Sequence, residues 1–242
     1  MAAYNGSAFI VEQIESILRQ LGPDDELIIV DDCSSDDTCK LIRGFADPRI
    51  ELYVNDRNLG VNSNFEKAIL KASGEIIFLS DQDDIWLDGR LESMKAYFSS
   101  KSTSVVASNF QLIDSNGNAL KMEWCPDLES EFDGRRLANL LGIMRGNRNY
   151  YGCAMAFRSA IRPTLLPFPK GVESHDLWLA IYGNIAGGIR HMEKPTLLHR
   201  VHGSNASIVS RPLLQRILAR ILFSMQVLTA CWRLAAWPQG RH

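Results

Sequence analysis

An apolar run that ends in three carboxylates constrains this chain more than any other feature. In residues 74–90 (GEIIFLSDQDDIWLDGR), Ile76, Ile77, Phe78 and Leu79 are entered by a glycine and followed by Asp81, Asp83 and Asp84. A short continuous apolar run suits a strand buried on both faces, as in a parallel sheet. Three acids at the end of such a strand repel one another and lose hydration. Two readings are open: an acidic turn kept in solvent, or a site for a hard divalent cation. Mg2+ or Mn2+ takes oxygen ligands and commonly shares them with phosphates. The apolar run before the acids and Trp86 after them favour the cation and diphosphate.

The segments around this stretch alternate. Tyr4-Asn5-Gly6 is a turn signal, and Ile10, Ile14, Ile17 and Leu18 have the spacing of a helix over 9–20, ended by Gly22-Pro23. Residues 26–30 (ELIIV) predict a strand that leads into Asp31-Asp32-Cys33-Ser34-Ser35. A helix follows over about 36–45, with Ser34 or Ser35 as its cap. Ile50–Val54 predicts a third strand, and a polar loop with Asn55, Asn58 and Gly60 leads to a helix over 64–72. Strands alternating with helices imply an α/β fold, a mostly parallel sheet flanked by helices. In such sheets ligands bind outside the carboxyl ends of the strands. Tyr4-Asn5, Asp31-Asp32 and the acids at 81–84 are therefore expected to meet at one edge.

The second half is less regular. A strand is expected over 105–113, a turn at 114–118 (DSNGN) and a helix over 132–141. A β-like segment at 150–157 and a proline-marked loop precede a helix over 176–186. A last strand over 196–201 leads to His202-Gly203-Ser204-Asn205, and residues 211–237 again have helical spacing. At 242 residues and 46% hydrophobic, the chain is long enough for one sizeable core.

Charge is unevenly placed. The net charge of −2 indicates no nucleic-acid partner, yet no Asp or Glu follows Glu193, while Lys194, Arg200, Arg211, Arg216, Arg220, Arg233 and Arg241 do. Such a tail, 208–242, fits two readings: a helix packed on the domain, or a basic amphipathic helix lying on an anionic membrane surface. Its uncharged run, 221–232, is too short for a span of about 20 residues. Five cysteines with no CxxC spacing fit reduced thiols in a cytoplasmic protein, peripheral at the inner face of the membrane if the tail binds it.

Taken together, Tyr4-Asn5-Gly6, residues 30–38 (VDDCSSDDT), Asn58-Leu59-Gly60 and residues 79–84 (LSDQDD) occur in the order and spacing of one family. The chain resembles glycosyltransferase family 2, inverting enzymes with a GT-A fold. FLSDQDDIW and HGSNAS look most like its bacterial rhamnosyltransferase-like branch. The resemblance implies a GT-A domain over 1–207, with a nucleotide-binding half (about 1–100) and an acceptor half (about 101–207). It implies metal-dependent transfer of a sugar, hexosyl or rhamnosyl, from a nucleotide-diphosphate donor to a carbohydrate or lipid-linked acceptor in bacterial surface-polysaccharide synthesis. Tyr4 would stack on the base, Asp32 would accept its ring N–H, and Asp81 would contact ribose. Asp31 would brace its turn. Asp83 would hold the Mg2+ or Mn2+ ion with Asp84 supporting the loop, and His202 would touch the cation or diphosphate, or only satisfy a loop. Arg90 would reach the phosphates or stand as a solvated helix charge. Asp176, in ESHDLWLA, matches the base that takes the acceptor proton, although an acid at a helix N-terminus is also stabilised by the dipole alone. His175 is a lesser candidate, and Asn149, Tyr150, Gly152 and Cys153 would line the acceptor side.

One departure from the family pattern stands out. The apolar strand expected before Tyr4 has almost no residues here, so that either the start lies upstream or the nucleotide site is weakened. Two other readings stay open: a nucleotidyltransferase, against which YNGSAF counts by lacking Lys or Arg, and a degenerate nucleotide-binding protein.

Overall fold

The computed structural model describes residues 1–120, 127–202 and 213–237. The expected boundary at 207/208, the rest of the HGSNAS motif, Arg211, Arg241 and Cys125 lie outside the described residues. The first half follows the alternation closely: β1 (Ala2–Ala3), α1 (Ile10–Leu18), β2 (Leu27–Asp31), α2 (Thr38–Gly44), β3 (Ile50–Val54), α3 (Val61–Lys71) and β4 (Ile76–Phe78). Then come β5 (Ile85–Trp86), α4 (Arg90–Tyr97), β6 (Val105–Ile113), β7 (Ala119–Leu120), α5 (Arg136–Arg145) and β8 (Met155–Arg158). The short α6 (Arg162–Leu165), α7 (His175–Ala186), β9 (Ile189–Arg200) and α8 (Leu213–Ala236) complete the chain. The segment expected as β-like from 150 begins instead with a 3₁₀ turn, Gly152–Ala154, and β9 is twice the length expected.

The expected mostly parallel sheet is instead two sheets. The order β1-β2-β3 is fully parallel, as two βαβ units require. The second has the order β4-β8-β6-β9-β5, with β7 on β6. Only β6 and β9 run parallel there, and β4, β5 and β7 each pair antiparallel with their neighbour. Because β1 is two residues long, the sheets join through a single backbone bond between them, Ala2 N–H to Ser80 O at 3.3 Å. β4 is consequently an edge strand rather than a central one, and of its three residues only Ile77 is buried. Behind β1, between β2 and β4, lies a cavity of about 320 Å³ lined by Ile28, Phe65, Ile69 and Ile77 among others.

Two of four apolar clusters among the described residues carry most of the packing. One gathers Ile10, Ile14 and Ile17 of α1 with Leu27 and Ile29 of β2, Ile42 and Trp86. These are the residues whose spacing of three and four marks one face of a helix. The larger cluster joins Phe65, Val105, Phe157 and Trp178 and extends to Phe223 and Ala230 of α8. The tail is thus a helix docked on the domain by one face. Its opposite face is apolar as well: Leu218, Ile221, Met225, Leu228 and Trp232 are 53–70% exposed. Residues 218–236 are long and apolar enough to cross a membrane by length and composition, which the uncharged run alone is not. Arg233 does not belong to a solvent-facing basic stripe, since its guanidinium donates to the carbonyls of Thr164 and Leu165.

Candidate active site

The three sequence segments expected at one edge do meet there, through side chain to backbone bonds. The amide of Asn5 donates to Ser34 Oγ and that of Ser35 to Asn5 Oδ1, both at 2.8 Å. Gly6 N–H reaches Thr38 Oγ1 and Ser7 N–H reaches Asp36. Ser34 and Ser35 are therefore occupied with Asn5 and Asp31 rather than capping α2, whose first amide goes to Asp36 Oδ1. Tyr4 and Gln82 form a reciprocal pair: Tyr4 N–H donates to Gln82 Oε1 and Gln82 Nε2 donates to Tyr4 O. A Cβ on Gly6 would lie 2.2 Å from Gln82 Oε1 and would push the Gln82 amide off Tyr4.

Helix α1 clamps both ends of the acidic loop. Gln13 Nε2 donates to Ser80 Oγ and to Asp81 O, and Ser16 Oγ accepts from Trp86 N–H. Between these clamps Asp81 and Asp83 are half-buried and Asp84 is fully buried. Loss of hydration, then the charges of Asp84 and Asp83, push the Asp81 carboxyl well up; Asp83 is raised for the same reasons, with His202 opposing. The groups that face these acids come from the far end of β9. His202 Nε2 lies 2.8 Å from Asp83 Oδ2, His199 Nδ1 lies 2.8 Å from Asp84 Oδ1, and Arg200 donates to Asp83 O and to Glu12. Burial alone would lower the His199 imidazole; the bond to Asp84 and the charges of Asp84, Asp81 and Asp83 outweigh that and hold it at about 9.

Asp176 sits at the start of α7, half-buried, accepting Gly152 N–H at 3.2 Å and Leu177 N–H at 2.6 Å. It is close enough to the acidic loop for its charge to raise Asp81 further. Asp81 and Asp83, Asp176 and His202 are thus gathered from three separate stretches of chain. Tyr4 stands 47% exposed beside them, its ring open to a stacking partner.

Other expected residues are placed differently. Arg90 is 1% exposed, with its guanidinium bonded to Cys153 O and Thr196 Oγ1 and lying 4.7 Å over the Trp86 ring; burial lowers it to about 10. It is a core strut and does not reach a phosphate site, because α4 turns its first residue inward against β9. Asp32 is buried, and its carboxylate already accepts from Asn55 Nδ2 and the amides of Leu59 and Gly60. Asp31 braces its turn through Ser34. Tyr150 and Cys153 face inward, Tyr150 to His191 and Cys153 to His199. His175 stacks on Phe65 in the core, with neither ring nitrogen hydrogen-bonded to a described residue. Gln82, His199 and Gln13 carry no role of their own in the sequence, and Arg200 reads there only as one of the basic residues after Glu193, because their roles rest on contacts across 67 to 188 residues. The acid next to Asp83, repeated as DD, is the only local hint of a buried partner for His199.

The donor set fits a divalent cation. Asp83 and His202 offer a carboxylate and an imidazole side by side, and the raised Asp81 and Asp83 mark negative charge that the protein's own residues leave only partly balanced.

Comparison with known proteins follows the same line. The sequence profile described as "Glycosyl transferase family 2" matches residues 1–164. The Escherichia coli protein named UDP-Glc:alpha-D-GlcNAc-diphosphoundecaprenol beta-1,3-glucosyltransferase WfgD is 30% identical over 75% of this chain and 67% of its own length. The succinoglycan biosynthesis protein ExoO of Rhizobium meliloti is 35% identical over 50% of this chain, but the match spans only 35% of ExoO. Among solved structures, S. aureus TarS 1–349 in complex with UDP-GlcNAc superposes with a TM-score of 0.71 over 94% of this chain and 65% of its own, at 18% identity. The Pyrobaculum calidifontis mannosyltransferase PcManGT, in complex with GDP-Man and Mn2+, gives 0.61 over 97% and 72%, at 19% identity. The fold shared with these neighbours is GT-A-like, helices flanking the sheets.

Proposed function

The chain belongs to glycosyl transferase family 2, and from that premise we propose that it transfers a sugar from a nucleotide-diphosphate donor to a lipid-linked or carbohydrate acceptor, with inversion, in the assembly of a bacterial surface polysaccharide. The carrying observation is the 2.8 Å pairing of His202 Nε2, from the second half of the chain, with Asp83 Oδ2 in the acidic loop that Gln82 ties to Tyr4. The relatives named for diphosphoundecaprenol-linked and succinoglycan chemistry support the choice of pathway class, and the neighbours bound to UDP-GlcNAc and GDP-Man support the donor class.

In this reading the acceptor hydroxyl attacks the anomeric carbon, and its proton passes to Asp176. The bond from that carbon to the diphosphate oxygen breaks on the opposite face, so configuration inverts. Tyr4 stacks on the base. Asp32, with three donors already on its carboxylate, retains capacity for one more, the base N–H. Asp81 meets the ribose. Asp83 and His202 would hold Mg2+ or Mn2+, which supplies counter-charge to the departing diphosphate. The rhamnosyl preference carried by the FLSDQDDIW resemblance is part of the proposal. So is a peripheral position at the inner face of the membrane, where the exposed stripe of α8 would rest.

Turnover of a panel of UDP-, GDP- and dTDP-sugars, with a diphosphoundecaprenol-linked acceptor and Mn2+ or Mg2+, tests the reading. EDTA should abolish activity and added metal restore it. Binding of nucleotide without turnover of any donor would favour the degenerate alternative.

A further inference from the structure

Beneath the acidic loop, three side chains of different chemistry converge. Asp84 follows β4, Cys153 lies in the 3₁₀ turn before β8, and His199 is on β9; one ligand atom from each lies within 4.8 Å of the others. Cys153 Sγ is 3.6 Å from His199 Nδ1. Nitrogen and sulfur bound to one tetrahedral zinc, at bond lengths of about 2.0 and 2.3 Å, also sit about 3.6 Å apart. Asp84 is 1% exposed, and apart from the neighbouring Cys153 thiol its Oδ2 meets no hydrogen-bond donor among the described residues. A buried carboxylate oxygen normally has a partner, so one left over beside a thiol and an imidazole points to a ligand.

We propose that Asp84, Cys153 and His199 form a second cation site, selective for a borderline ion such as Zn2+ and separate from the Asp83 and His202 pair. The thiol decides the selectivity. Thiolate is a soft donor that Mg2+ and Mn2+ decline, whereas zinc takes carboxylate, imidazole and thiolate together. Coordination displaces two protons to solvent, that of the Cys153 thiol and the one His199 Nδ1 shares with Asp84, so binding strengthens as pH rises and burial of the thiol is no obstacle. Bound zinc would bring two positive charges to a carboxylate and a thiolate, leaving the pocket electrically neutral. It would also give Asp84 Oδ2 a stronger partner than the thiol beside it. Three protein ligands leave a fourth position open, the arrangement of zinc sites that retain water or an exogenous ligand. The site does not depend on the glycosyl-transfer reading, because it requires neither donor nor acceptor.

Cobalt(II) alone is the probe, since it takes zinc's geometry and shows a near-ultraviolet charge-transfer band when a thiolate is bound. Titration of the metal-free full chain should give that band at one equivalent, with visible absorption of tetrahedral strength, both displaced by Zn2+ and not by Mg2+. Cys153→Ser should lose the band. His199→Asn should weaken binding by at least about tenfold, a loss already usual for outer-shell partners. A chain with Cys33, Cys39, Cys125 and Cys231 replaced by serine should keep the band, as should Asp83→Asn. Circular dichroism melts establish that each variant is folded; if Cys153→Ser is not, the four-serine chain, whose single thiol is Cys153, carries the test. Absence of the band in that chain, its survival in folded Cys153→Ser, or its loss in Asp83→Asn would overturn the proposal.

Discussion

His202 reaches back across 119 residues to place its Nε2 2.8 Å from Asp83 Oδ2, so that a loop after β9 and a loop after β4 share one polar contact. If that pair holds a cation, removal of either member should release it. Asp83→Ala is expected to abolish turnover and to weaken nucleotide-diphosphate binding strongly, because the phosphates lose their counter-charge. His202→Ala should do the same to a lesser degree. Calorimetry in which UDP binds Asp83→Ala as tightly as the parent chain, with EDTA making no difference, would rule out a metal at this pair.

Asp176→Asn separates chemistry from binding. The amide keeps the size of the side chain and cannot take a proton, so kcat should fall by about 10²–10⁴, the usual range for a general base. Donor affinity should hardly change. Retention of more than about a tenth of kcat would reduce Asp176 to an acid that satisfies the Gly152 and Leu177 amides.

His199 makes stability depend on pH in a definite direction. Its folded value of about 9 lies above the usual 6.5, so the protonated form is the one the fold stabilises. That contribution is complete below pH 6.5 and is lost as pH rises through 9. In EDTA, urea melts should therefore show the parent chain ahead of His199→Asn at pH 6 by up to roughly 3 kcal/mol, with the gap closing towards pH 9.5. A gap that is the same at both pH values would mean that the imidazole is not charged against Asp84.

Arg90→Met distinguishes a strut from a phosphate ligand. The change removes the side-chain donor to Cys153 O and one of the partners of Thr196 Oγ1 in the core, and the expected loss is roughly 2–3 kcal/mol of stability. KM for the donor should stay close to that of the parent chain. A large rise in KM with unchanged thermal stability would return Arg90 to the phosphates.

The outer face of α8 should bind membranes. Leu228→Glu with Trp232→Glu alters only exposed positions and should reduce flotation with anionic liposomes without lowering the melting temperature. Equal partitioning of variant and parent would leave α8 as a packing element only.

Local pattern settled much of the first half. Ile10, Ile14 and Ile17 recur at helical spacing, and they form the buried face of α1. Ile50–Val54 is a strand with those same bounds, and the loops after β2 and β4 both close on Tyr4-Asn5, as loops that each follow a strand were expected to do. Such features are legible because periodicity of 3.6 and of 2 is written along the chain itself. Position within the sheets was decided elsewhere. The run at 76–79 reads as a central strand, yet β4 is an edge, since pairing depends on how many residues β1 contributes and on β8, which arrives about 80 residues later. Arg90 reads equally well as surface or site, and only the packing of α4 against β9 buries it. His199 carries no local signal, and Cys153 reads only as a residue lining the acceptor side. Their meeting with Asp84 is set by the register of β9 against β6 and β5, a relation between distant segments that no spacing within either one encodes.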